Sequence, residues 1–145
     1  MLIRGLIFVV VIVLAAMAYV RLAPTNPALW HRLDVATAPD DLVAATGFTA
    51  VRGLAAPAPQ VLGALEQVAL ATPRTRVIAG SVASGMVTFR TRSLVWGFPD
   101  FTTAAVQGDF LVIHGRLRFG GSDLGVNRAR VLGWVDKLGP LIVAP

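Results

Sequence analysis

The sequence predicts an α+β protein, with an N-terminal transmembrane helix followed by a two-layer sandwich of a four-stranded antiparallel meander and two helices. Three observations predict this class. A long apolar run opens the chain, two later segments have apolar residues at helical spacing, and the stretch between those segments alternates with period two. A helix before and a helix after such a meander can bury its apolar face in a second layer.

Length and composition limit the alternatives. The 145 residues suffice for one modest domain and a short appendage. With 55% hydrophobic and only 14% charged residues, the chain is not a disordered, highly charged one. It has no cysteine, so disulfides and thiolate metal sites are excluded.

The formal charge of +5 is concentrated after Pro73, where nine basic residues stand against four acids. Almost all the basic residues are arginine, which a GC-rich genome explains as well as selection for bidentate anion contacts does. No basic patch is interleaved with aromatic residues, and a membrane segment precedes the domain, so nucleic acid is not expected as a partner.

Residues 1–22 are predicted to be a transmembrane anchor. Residues 5–20 carry no charge, and the 21 residues from 2 to 22 would span about 31 Å as a helix, enough for a bilayer core. A removable signal peptide is the alternative, because Ala16-Met17-Ala18 is an acceptable cleavage site. Since the apolar run continues through Tyr19 and Val20, we favour a retained anchor. We expect a single-pass protein of the bacterial inner membrane, associated with lipid, with its domain in the periplasm.

Five of the nine prolines lie between Ala23 and Pro59, and no helical or strand period is sustained there. Residues 23–58 are therefore predicted to be a proline-rich tether, ahead of a domain over 59–140 and a tail over 141–145. Trp30 fits two interpretations equally well, a position at the membrane surface or packing onto the domain.

Within the domain, the spacing of Val61, Leu62, Leu65, Val68 and Ala69 predicts a helix over 60–72. The period then changes to two, which predicts four strands, over 76–82, 86–94, 101–107 and 110–118. The last helix is predicted over 128–138, ended by Gly139-Pro140.

In this register two strands each place a pair of arginines on one side. If both pairs project to the side that the helices do not cover, the four share one sheet face, here called the arginine face: Arg90, Arg92, Arg116 and Arg118. Two interpretations stay open. The four are either a solvated sheet face or a site for a carboxylate, phosphate or lipid headgroup, for which the planar fork of arginine is suited. Clustered cations also need screening, and Asp100 and Asp123 are the expected internal partners.

A glycine-rich loop over 120–127 joins the last strand to the last helix. Ser122 or Asp123 can close a turn and Asn127 can cap the helix, which is a purely structural interpretation. The same backbone amides could instead bind an anion, so Ser122, Asp123 and Asn127 join the four arginines as candidate ligand-binding residues. Catalysis by Ser122 is the weakest alternative because no base is identifiable.

No catalytic residue, metal ligand set or cofactor motif is predicted. His31 and His114 have no partner ligands at suitable spacing, and Walker, dinucleotide-binding and nucleophile-elbow motifs do not occur.

The run R-F-G-G-S-D-L-G-V-N-R-A-R over 118–130 resembles the signature of the domain-of-unknown-function 1499 family, approximately S-R-x-G-x-S-D-x-G-x-N-x-x-R. Two further segments are similar to that family: Pro73-Arg74-Thr75, and Thr91-Arg92-Ser93 with Gly97-Phe98-Pro99-Asp100. The opening around Arg21 and Trp30 looks like its membrane-anchored proteobacterial members. Leu117 departs from the pattern, because a serine or small residue is usual there, and Gly115 replaces another. The resemblance implies a fold and a candidate surface rather than a reaction.

We therefore expect an uncharacterised cell-envelope protein, and favour a binding module over an enzyme, with a domain that binds an anionic group through the arginine face. One alternative is a structural or scaffolding subunit that docks a membrane-protein partner. The other, less favoured, is an envelope enzyme that uses the Ser122-Asp123 loop.

Overall fold

A computed structural model describes residues 2–34 and 40–143 of the chain. It contains three α-helices and one seven-stranded antiparallel sheet in the strand order β1-β2-β6-β5-β4-β3, with β7 paired to β2. The elements in chain order are α1 (Leu2–Leu22), β1 (Leu42–Ala44), β2 (Gly47–Leu54), α2 (Ala58–Leu70), β3 (Thr75–Ser81), β4 (Met86–Arg92), β5 (Pro99–Gln107), β6 (Phe110–Leu117), α3 (Val126–Leu138) and β7 (Ile142–Val143). The α+β class is confirmed, and the sheet is larger than the four strands predicted.

The predicted tether is wrong for residues 42–54, which form β1 and β2. β2 pairs with β6 from Gly47 opposite Arg116 to Gly53 opposite Phe110, so it belongs to the body of the sheet. Its first five residues are all buried, on both faces of the sheet. A strand buried on both faces has no polar alternation, which is why period two did not reveal it. The predicted tail is likewise wrong for Ile142 and Val143, which pair with β2.

One face of the sheet packs against α2 and α3, where the core of the domain lies. The apolar stripe predicted for the helix over 60–72 is buried there apart from the half-buried Val68. Trp134 of α3 is also buried, and it meets Phe89 of β4 edge-on at a ring-centroid distance of 5.6 Å. The strands contribute alternate residues to this layer: Phe48, Ala50, Val87, Phe89, Ala104, Leu111 and Ile113.

The opposite face of the sheet is covered by residues 23–34, here called the juxtamembrane segment. Trp30 stacks on Phe101 with ring centroids 4.0 Å apart, and its carbonyl oxygen accepts a hydrogen bond from Thr103 Oγ1 at 2.8 Å. His31 Nδ1 lies 2.9 Å from Thr88 Oγ1. Thr88 and Thr103 are fully buried although they point away from the helices. Of the two interpretations of Trp30, the structure therefore supports packing onto the domain.

α1 projects away from the domain. Among the described residues of this helix only Val20 is buried, and an 18-residue stretch of it has a mean hydropathy of 2.6. Its length and composition suffice to cross a membrane, and an N-terminal signal sequence meets the same criteria.

Replacing Trp30 by alanine should lower the free energy of unfolding by roughly 2–3 kcal/mol, because the stack on Phe101 is lost and the threonine row beneath is exposed. Thermal unfolding of the full chain in a neutral detergent, followed by near-UV circular dichroism, measures this. Leu29→Ala is the matched control, since the Leu29 side chain is exposed and should change stability by less than about 0.5 kcal/mol. Equal effects of the two variants would contradict the packing of the segment onto the sheet.

Candidate functional site

The arginine face lies on the side of the sheet that carries the juxtamembrane segment. Arg90 of β4 and Arg116 of β6 are both register partners of Phe101 in β5, so their side chains share one face. Arg92 lies two residues beyond Arg90 on the same side of β4. Because β5 runs between β4 and β6, the two pairs of arginines are separated by the width of one strand.

Arg116 and Arg118 bind the juxtamembrane segment. The Arg116 guanidinium donates to the carbonyl oxygen of Trp30 and, at 3.3 Å, to that of Arg32. It also lies 5.4 Å from the centroid of the Trp30 ring, within cation–π range. Arg118 donates to Thr25 Oγ1 at 2.9 Å and to the carbonyl oxygen of Pro24 at 2.8 Å. These two cations therefore have neutral acceptors from their own chain.

Arg92 joins the end of α1 to the loop between β4 and β5. Its guanidinium donates to the carbonyl oxygens of Gly97 at 2.7 Å and of Arg21 at 3.0 Å. Arg21 in turn donates to the carbonyl oxygens of Val95 at 2.8 Å and Trp96 at 3.3 Å. The last turn of α1 is thus attached to this loop from both sides.

Arg90 has a different environment from the other three arginines. Among the described residues, its side chain donates no hydrogen bond, and the same is true of Arg76, its register partner on β3. Burial lowers the pKa of Arg90 to about 10, and the positive charges of Arg92, Arg76 and Arg118 act in the same direction. The ion pairs in the described part of the chain are Arg32–Asp34, Arg52–Asp41 and Arg130–Asp100, none of which includes these arginines.

Two clefts open beside this group of arginines. The larger has a volume of about 560 Å³ and is lined by Arg21, Arg74, Arg76 and Arg92 with Ser93 and other loop residues. The smaller, of about 280 Å³, is lined by Arg76 and Arg90 on one side and by Thr25 and Pro27 on the other. We name Arg74, Arg76, Arg90 and Arg92 the cation cluster. The sequence analysis did not include Arg74 and Arg76 among the candidate site residues, although the β3–β4 register places Arg76 beside Arg90.

The glycine loop serves chiefly to start α3. Asp123 Oδ1 accepts from the Gly125 amide at 2.9 Å and Oδ2 from the Asn127 amide at 3.1 Å, while Ser122 Oγ accepts from the Leu124 amide at 3.3 Å. Burial alone would raise the pKa of Asp123, but the hydrogen bonds from Gly125 and Asn127 hold it below its usual range. The predicted cap by Asn127 is wrong. The helix begins at Val126, and Asp123 is the side chain that satisfies its first amides.

Asn127 lies in a buried polar network on the helix side of the sheet. Its amide oxygen accepts from Arg130 at 2.8 Å, and Arg130 also pairs with Asp100 at 3.0 Å. Burial raises the pKa of Asp100, while Arg130 opposes this shift. The expectation that Asp100 and Asp123 screen the arginine face is wrong, because Asp100 points to the opposite face and Asp123 binds backbone amides. The seven candidate residues thus do not form one site.

A close approach of α3 to the sheet fixes the residue at position 115. A Cβ added to Gly115 would lie 3.1 Å from both Asn127 Oδ1 and Val131 Cγ2. The glycine that departs from the family pattern in the sequence is therefore a packing contact with α3 rather than an altered ligand site.

His114 is held neutral on the segment side of the sheet. Its Nδ1 lies 2.8 Å from Thr49 Oγ1. Burial lowers the pKa of His114 from 6.5 to about 4. The positive charge of Arg116 acts in the same direction, and the negative charge of Asp34 partly opposes the shift. Within residues 2–34 and 40–143, no three His, Cys, Asp or Glu side chains lie close enough together to hold a metal ion.

A comparison with known protein families identifies the family of this chain. The sequence profile of a family described as "Protein of unknown function (DUF1499)" matches residues 22–138. The matched range begins where α1 ends and includes β1 and β2, which lie between the motifs that carry the resemblance in the sequence. No curated protein matches the chain.

Lowering the pH should destabilise the folded protein because His114 is buried in its neutral form. Between pH 6.5 and 4 the imidazole of His114 is protonated in the unfolded chain but not in the folded one. The stability associated with neutral His114 is therefore complete above pH 6.5 and is lost as the pH falls towards 4. The thermal midpoint of the wild-type chain should therefore fall over this interval. His114→Asn keeps a polar group near Thr49 but cannot titrate, so its midpoint should fall less. Carboxylates titrate in both proteins, so their effect on the thermal midpoint cancels in the comparison. Equal falls of the midpoint in the wild type and in His114→Asn would contradict the neutral state of His114.

Proposed function

The chain belongs to the DUF1499 family of proteins of unknown function, and we propose that it is a single-pass envelope protein whose domain binds an oxyanion at the cation cluster. The observation that carries this proposal is the pair Arg76 and Arg90. Both line the same cleft, and neither has a carboxylate or a hydrogen-bond acceptor among the described residues.

The proposed site differs from the arginine face as a whole. Arg116 and Arg118 already donate to the juxtamembrane segment, so an anion that bound them would have to displace hydrogen bonds to Trp30 and Pro24. Arg76 and Arg90 need no such displacement. An anion that enters the cleft meets guanidinium groups that donate to no other described residue, and this favours the β3–β4 side of the face.

The physical chemistry of the cluster supports an oxyanion such as a phosphate or carboxylate. Burial and the positive charges of Arg92, Arg76 and Arg118 lower the pKa of Arg90, and a bound anion would offset the repulsion between these cations. Guanidinium groups bind such anions through two parallel hydrogen bonds, which are stronger than bonds between neutral groups. Arg21 lines the larger cleft and lies in the last turn of α1, so a lipid headgroup could reach the cluster as well as a soluble anion could.

Replacing Arg76 and Arg90 together by glutamine should weaken anion binding at least about tenfold, because charge-assisted hydrogen bonds are lost. The measurement is the rise in thermal midpoint of the full chain in neutral detergent when an anion that binds the folded state is titrated in. Inorganic phosphate forms one arm and short-chain phosphatidylglycerol the other, with short-chain phosphatidylcholine as the uncharged reference.

Lys137→Gln is the control for this experiment, since Lys137 lies in the last turn of α3, away from the cluster. The control should keep the wild-type response. A rise with both anions assigns the site to soluble oxyanions, and a rise with the lipid alone assigns it to a headgroup. No rise in the wild type, or an equal loss in Lys137→Gln, would refute the proposed binding.

We further propose that α1 is retained and that the domain is exported. Alkaline phosphatase fused after Pro145 should be active in a bacterial host, because it folds only in the oxidising periplasm. The fusion should also stay in the membrane fraction with the residues before Tyr19 intact. An inactive fusion would refute the orientation, and a product that begins at Tyr19 would show that α1 is a cleaved signal peptide.

A further inference from the structure

The end of the sheet next to α1 carries exposed apolar side chains on two loops. Residues 93–98 connect β4 to β5, and residues 118–125 connect β6 to α3. The loops lie side by side, with the rings of Phe98 and Phe119 6.2 Å apart. The exposed apolar residues on them are here called the apolar rim: Leu94, Val95, Trp96, Phe98 and Leu124.

Hydrogen bonds across the base of the first loop keep its apolar side chains exposed. The amide of Ser93 donates to the carbonyl oxygen of Phe98 at 2.9 Å, and the Phe98 amide donates to Ser93 Oγ at 3.0 Å, which closes the loop between them. Leu94 and Val95 at its tip are 72% and 64% exposed. A run of four apolar residues in five, all exposed, is more than the scattered single apolar residues of an ordinary protein surface.

The conformation of Leu124 is a second, independent observation of an apolar side chain that points out of the domain. It has a φ of +52°, in the left-handed region that disfavours residues with a Cβ, and its side chain is 91% exposed. Ser122 and Asp123 hold the backbone on either side of it through hydrogen bonds. The strained backbone therefore directs an apolar side chain out of the domain, where no described residue buries it.

α1 places this rim relative to the membrane. The carbonyl oxygens of Val95 and Trp96 accept hydrogen bonds from Arg21, one residue before the end of α1. Arginine at the end of a spanning helix reaches the headgroup layer. Loop residues bonded to that side chain consequently lie at the same depth, at the boundary between headgroups and acyl chains.

We propose that the apolar rim inserts into the bilayer leaflet next to the domain, with Trp96 at the level of the headgroups and Leu94, Val95 and Leu124 among the upper acyl carbons. Tryptophan favours the headgroup layer, and the aliphatic side chains favour the acyl layer. The occupant of the rim is thus the lipid bilayer itself. The inference depends on the spanning α1 of the proposed function but not on the binding of an anion, so neutral lipid suffices.

The absence of cysteine from the chain makes a site-specific test direct. Val95→Cys and Leu124→Cys each give a single thiol for an environment-sensitive NBD label in the full chain, reconstituted in phosphatidylcholine vesicles. Asp109→Cys is the matched control, because Asp109 is exposed in the β5–β6 turn at the opposite end of the sheet. All three positions are exposed, so the domain should fold in each variant.

Labels at 95 and 124 should show blue-shifted emission and at least about twofold quenching by lipids with a nitroxide on carbon 5 of the acyl chain, because they then lie within the hydrocarbon layer. The label at 109 should show neither. Quenching at 95 and 124 no greater than at 109 would overturn the proposal. In the unlabelled Val95→Cys variant, disulfide crosslinking between copies without quenching of the labelled form would overturn it too, by assigning the rim to a second copy of the chain.

The test also separates insertion from anion binding. Arg76→Gln with Arg90→Gln, combined with Val95→Cys, should keep the quenching at 95 even where the response to anions is lost. Loss of quenching together with recovery of the protein in the soluble fraction would instead refute the spanning α1.

Discussion

The packing of Trp30 and its neighbours onto the sheet is the contact on which the rest of this structure depends. Two helices bury only one face of the sheet, and the other face contains Phe101 and a row of threonines. The juxtamembrane segment closes that second face through the Trp30–Phe101 stack and through hydrogen bonds to its backbone. Since the segment continues directly from α1, the contact that completes the domain also sets its position relative to that helix.

The same contact explains why arginines of one face have different roles. A cation near a protein surface needs acceptors, and the carbonyl groups of an irregular segment also need donors. Arg116 and Arg118 satisfy both requirements, while Arg92 and Arg21 join the end of α1 to the loop before β5. Arg76 and Arg90 lie where the segment supplies no acceptor. Neither the interpretation as a solvated face nor the interpretation as a binding face therefore describes all four arginines, because Arg92, Arg116 and Arg118 already donate to backbone carbonyl groups of the same chain.

The glycine loop shows how a cluster of reactive residue types can have a structural origin. Ser122 and Asp123 bind backbone amides at the start of α3, and Asn127 joins Arg130 and Asp100 inside the helix layer. None of these side chains reaches the arginine face, because the sheet lies between them. What the loop presents to the outside is Leu124, an apolar side chain on a left-handed backbone. Its interest lies in contact with a surface rather than in chemistry.

Local periodicity predicted the α+β class, the two helices and four of the strands to within about two residues, and it placed Arg90 with Arg92, and Arg116 with Arg118, on one side of their own strands. Each of these follows from a local period that the chain carries in its own residues. The tertiary structure alone decided the remaining strands, because β2 is buried on both faces and has no period to detect. It also decided which arginines are already occupied, since their acceptors lie 71 to 94 positions away in the chain. Periodicity places a side chain on a face, but only the folded chain brings a distant carbonyl group to it.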